Sequence, residues 1–163
     1  MIESDFYLVV AEVSGVFIGF GALIGATRKH SAVITILLRT LVVAGLAVLV
    51  GALTPGLLVI FGVEEPFLWR ISCAVLLLLE LASIIFSTDR MLIKTAKAHA
   101  AENRGFNIFQ TVLEIMIFAS LMTSILGFMQ AHWQALFTIA LVVNLVQAGV
   151  CLAKMMFTAA IDE

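Results

Sequence analysis

The chain has 163 residues, of which 63% are hydrophobic and 12% charged, with a mean hydropathy of +1.16 and a formal net charge of −2. A soluble domain carries about 25% charged residues, and one of this size could not hide so much apolar surface, so the expected solvent is lipid. The charge balance, without a basic surface interleaved with aromatics, gives no support to nucleic-acid binding.

Five apolar runs, 6–27, 33–53, 67–87, 108–130 and 134–156, each approach the roughly 20 residues that cross a bilayer core as a helix. Backbone groups in lipid must bond within the chain, and alternating ten-residue strands are absent, so the expected fold is all-α. It is read as one transmembrane domain over residues 1–163, an integral membrane bundle of five transmembrane helices.

The first run follows an acidic leader, Glu3-Ser4-Asp5, and is too long for the apolar core of a cleaved signal, so it is expected to be a retained helix. Ala11, Ser14, Gly15, Gly19, Gly21, Ala22, Gly25 and Ala26 fall within an arc of about 160° on it. Such a face admits close helix packing, against the same chain or a second copy. Glu12 stands at its edge, an acid on the outer side with Arg70, Ser14 and water as expected partners.

The second run carries Arg39, and Thr54-Pro55-Gly56 is expected to kink or end it, leaving residues 56–62 as a short interfacial piece. In the third, Cys73, Glu80 and Ser87 recur every seven residues, with Ser83 beside them. A basic connection over 88–105 follows, placing Arg90, Lys94, Lys97 and Arg104 on one helical face. That face is either a plain topology signal or a docking surface for anionic headgroups or a cytoplasmic or membrane partner. The fourth run has the stripe Asn107, Gln110, Thr111 and Glu114, and the fifth has Asn144, Gln147, Cys151 and Lys154.

Basic residues mark cytoplasmic connections. Placing the N-terminus outside and the C-terminus in the cytoplasm puts eight of the nine Lys and Arg inside, all but Arg70. Trp69 and Trp133 then fall in the outer interfacial belt.

In this topology Arg39, Glu80, Glu114 and Gln147 all lie roughly 10 Å from the cytoplasmic ends of their helices. A charge in hydrocarbon costs several kcal/mol, so such groups are paired, hydrated or used. Two readings stand. Glu80 and Glu114 form a cation or proton site, with Arg39 setting their charge and Asn144 and Gln147 completing the lining. Alternatively, the cluster is a charge network that fixes helix register.

An enzyme is not expected. His30, His99 and His132 fall at helix ends or in loops, His-Glu-x-x-His and Gly-x-Ser-x-Gly are absent, and there is no Cys-x-x-Cys. Cys73 and Cys151 read as small buried hydrophobes. No metal or other cofactor is implied. The expectation is a small homo-oligomeric channel or transporter subunit in a bacterial-type inner membrane; the alternative is a non-enzymatic anchor or accessory subunit of a larger complex.

Overall fold

The computed structural model describes residues 4–27, 32–65, 67–87, 104–128 and 130–161. Five long helices fill them: α1 (Ser4–Thr27), α2 (Ala32–Ile60), α3 (Phe67–Ser87), α4 (Arg104–Ile125) and α5 (Trp133–Ile161). A single 3₁₀ turn, Gln130–His132, precedes α5. Within the helices, apolar spans of 19 to 27 residues are long enough to cross a membrane. The described part of the chain is therefore an all-helical bundle suited to lipid on every side.

Among the described residues, the ends of α2 and α4 are closed by the same device. Gly127, at φ 81°, ends α4, with Phe128 N–H bonded to Thr123 C=O at 3.1 Å and Gly127 N–H to Ser124 C=O at 3.1 Å. Gly62, at φ 76°, does the same for α2, through Val63 N–H to Leu58 C=O and Gly62 N–H to Val59 C=O, both at 3.0 Å. This double bond around a left-handed glycine satisfies the carbonyls a helix end leaves open. It fixes the fourth helix at Arg104–Ile125, where the apolar run implied 108–130. The second helix also departs from expectation, because it continues through Pro55 to Ile60. Pro55 is fully buried. Packing around it holds the helical path that proline alone disfavours.

Helix order is antiparallel, and one end of the bundle is aromatic. Tyr7 of α1, Trp69 of α3 and Phe137 of α5 meet there, with ring centroids 5.8 to 6.1 Å apart. Tyr7 Oη and Thr138 Oγ1 hydrogen-bond at 2.9 Å. Arg70 donates to Ile125 C=O at 3.3 Å and stacks on Trp133, whose Nε1 donates to Phe128 C=O at 3.1 Å. Those contacts tie α3 to the α4–α5 turn. α5 packs on all four other helices, and α2 packs on α1, α3 and α5.

The small face of α1 divides. A Cβ on Gly21 would run into the Leu41 side chain of α2, and one on Gly25 into that of Leu38. Gly15 and Gly19 face open space. Ser14 Oγ donates to Gly45 C=O at 2.6 Å, a further sign of how closely α1 approaches α2. Leu41 is fully buried and has nowhere to go. Gly21→Val is therefore expected to destabilise the protein by about 2 kcal/mol, as overpacking does. Gly15→Val should leave it within about 0.5 kcal/mol of wild type. Thermal unfolding of the two variants in detergent checks the contrast, and equal losses would refute this division of the face.

Candidate functional site

Two apolar clusters stack along the bundle. The first, toward the aromatic end, includes Leu76, Ile117, Leu121, Phe137 and Leu141. The second joins Ile34, Leu37 and Leu41 of α2 to Ala148, Cys151 and Met155 of α5. Along α5, Asn144 and Gln147 fall between Leu141 of the first and Ala148 of the second. They belong to a polar seam crossing the bundle at that level.

Glu80 of α3 is the buried acid of the seam, 9% exposed. Asn144 Nδ2 donates to its Oε1. Glu114 of α4 is near enough to repel it. The Gln147 side chain lies beside the Glu114 carboxyl, which is on an exposed part of α4. Four of the residues singled out in the sequence thus come together from three helices. Each acid is met by a neutral amide from α5.

Arg39 stands elsewhere. It is half-buried on α2 between Leu37 and Leu41, which pack on Ala148, Cys151 and Met155. That register sets it level with the second cluster, farther from the aromatic end than the seam. Among the interactions of the Glu80 and Glu114 carboxyls are those with Asn144, Gln147, Cys151 and each other.

Hydroxyls contribute little to the seam. Ser83 Oγ donates to the backbone carbonyl of Glu80 at 2.8 Å, and Thr111 Oγ1 to that of Asn107 at 2.9 Å. The α4 stripe also splits. Gln110 turns toward α5 and donates to Cys151 Sγ at 3.4 Å, whereas Asn107 and Thr111 line an open groove with Arg104. Gln110 joins the cluster through that contact, and its place on the stripe was the sequence signal for it. Lys154 Nζ sits 3.6 Å from the centre of the Phe106 ring, below Cys151.

Two buried acceptors, Asn144 Oδ1 and Gln110 Oε1, have no hydrogen-bond partner among the described residues. A buried acceptor without a donor costs about 1–3 kcal/mol, so these two mark a place that is short of donors among the described residues. Among the described residues, no group of three His, Cys, Asp or Glu could hold a metal ion.

The outer-side acid Glu12 is exposed on α1, on the same open face as Gly15 and Gly19. Arg70, one of its expected partners, lies against Ile125 and Trp133 instead. Arg90, Lys94 and Lys97 fall outside the described residues; Arg104, the last of that basic face, is exposed at the start of α4.

No family model, curated protein or solved structure matches this chain.

Proposed function

We propose that this protein is a subunit of a small homo-oligomeric membrane channel or transporter that binds a cation or proton at Glu80 and Glu114. The observation that carries this reading is that, among the described residues, two acids from neighbouring helices are met by neutral amides, beside buried acceptors without a donor. A network built only to fix helix register gains nothing from a shortage of donors. Acids held inside helical bundles commonly mark ion pathways.

Orientation follows from charge. In the sequence Arg28 and Lys29 follow α1, Arg90, Lys94 and Lys97 follow α3, Arg104 begins α4 and Lys154 lies late in α5, and we assign that end of the helices to the cytoplasm of a bacterial-type inner membrane. The N-terminus is then outside, and the open groove lined by Arg104, Asn107 and Thr111 lies on the cytoplasmic side of Glu114 along α4. Toward the outside the way is filled by Leu76, Leu121, Phe137 and Leu141, all fully buried. The path is therefore completed at a contact between copies or by a change of packing. The face bearing Gly15 and Gly19 is the small-residue surface left for a neighbouring copy. No enzymatic activity is proposed.

That apolar filling also favours a second reading, a non-enzymatic anchor or accessory subunit whose basic face, including Arg104, docks a partner. Ion flux in liposomes separates the two. Imposed proton, Na⁺ and K⁺ gradients should reveal a flux that falls to the protein-free level in Glu80→Gln/Glu114→Gln. A well-folded wild-type protein that passes no ion would leave the anchor reading standing.

A further inference from the structure

The ion itself can be narrowed, on the strength of the transport reading above. A bound metal cation needs oxygen atoms turned toward it from several sides. Around Glu80 the nearest amide presents its nitrogen instead, since Asn144 Nδ2 donates to Glu80 Oε1. Gln147 sets a second neutral amide beside the Glu114 carboxyl. An N–H donor beside a carboxylate takes the place a cation would occupy. A proton needs no such room.

The orphaned acceptor adds a second argument. Asn144 is 1% exposed, and its Oδ1 has no donor among the described residues. An amide carries a donor and an acceptor on the two arms of one planar group. With Glu80 ionised, Nδ2 faces the carboxylate. With Glu80 protonated, half a turn of the amide brings Oδ1 round to accept from the new O–H. The same side chain therefore serves both states of the acid.

We propose that the ion held at this site is a proton, taken from the cytoplasm by Glu114 and passed to Glu80, with the Asn144 amide turning to match the state of Glu80. The step balances. Glu114 gains a proton from water and becomes a carboxylic acid. It then gives that proton to the Glu80 carboxylate and returns to its ionised form. Glu114, one turn along α4 from the open groove lined by Asn107 and Thr111, is the door, and Glu80, buried, is the store. Other titratable or charged groups described on the elements packed around Glu80 are Arg70 and Cys73 on α3, Arg104 on α4, Arg39 on α2, and Cys151 and Lys154 on α5; Arg70 and Arg104 lie at the far ends of their helices. Cys73 stands two turns toward the aromatic end. Arg39, Cys151 and Lys154 stand toward the opposite end.

Difference infrared spectroscopy of the full-length protein in liposomes tests this directly. Stepping the pH should produce the carbonyl stretch of protonated carboxyl groups. Glu80→Gln should remove one such band, and Glu114→Gln another. Asn144→Leu should shift the Glu80 band to higher frequency, because a carboxyl that loses its acceptor has a stiffer C=O. Adding Na⁺ or K⁺ at constant pH should change nothing. Carboxylate bands that move with Na⁺ or K⁺, or carboxyl bands that survive both Gln variants, would overturn the proposal. Flux of Na⁺ or K⁺ lost in the double Gln variant, without a carboxyl band, would sink the proton and leave the transport reading intact. A band without any flux would do the reverse.

Discussion

Asn144→Leu is expected to destabilise the protein by about 3 kcal/mol, and adding Glu80→Leu is expected to recover most of that loss. The amide is the donor that Glu80 receives from α5, and both residues are buried. Removing it leaves an acid without a donor in a low-dielectric layer. Glu80→Leu alone leaves the whole Asn144 amide unpartnered and should cost about 1–3 kcal/mol. Replacing both members with leucine removes the polar debt from both sides and joins the two apolar clusters. Unfolding midpoints of the two single variants and the double variant in a denaturing detergent series give the coupling. Losses that simply add would mean that the contact has no energetic weight. A recovered but flux-dead double variant would show the seam to be dispensable for folding and required for transport.

Phe137→Ala is expected to cost about 3 kcal/mol, the low end for a buried phenylalanine in a soluble core. In lipid the transfer term shrinks, because acyl chains are as apolar as the interior, and packing remains. Phe137 has no exposed surface and meets the rings of Tyr7 and Trp69. A cavity there would loosen α1, α3 and α5 together. Phe61→Ala is the control, since Phe61 is 80% exposed at the α2–α3 turn and should change stability by less than about 0.5 kcal/mol. Thermal unfolding in one detergent compares the pair, and a Phe137→Ala variant as stable as wild type would contradict the packing described at the aromatic end.

The helix count was legible because a span needs a run of apolar residues, and nothing else in the chain produces such runs. Helix ends were harder. Gly127 is a strong stop signal, but Phe128 and Met129 carry the apolar run past it, and hydropathy gives a stop no weight. Pro55 is a strong breaker in isolation, and only the packing around it shows why α2 goes on. The acids could be read as coming together from their depth along each run. Depth does not give rotation, and a bundle that is apolar on all sides offers no hydrophobic face by which to orient a helix. Arg39 illustrates the cost. Counting from the helix end matched it to Glu80, while the register of Leu37 and Leu41 against α5 sets it farther from the aromatic end. Gly15 and Gly19 were grouped with Gly21 and Gly25 for the same reason, although only the latter pair meets α2.

The glycine-closed turns bear on how the chain enters its membrane. In the orientation proposed here, the tips joining α2 to α3 and α4 to α5 must each be carried through the hydrocarbon once during insertion. Between Leu126 and His132 there is no Asp, Glu, Lys or Arg. The N–H groups of Leu126, Gly127 and Phe128 all bond back to α4. Such a tip sheds little water on its way across, so α4 and α5 are suited to enter as a preformed hairpin. The α2–α3 tip carries Glu64 and Glu65, with Arg70 close behind, and has charges to drag. Of the two hairpins, it is the one whose delivery should lean harder on insertion machinery.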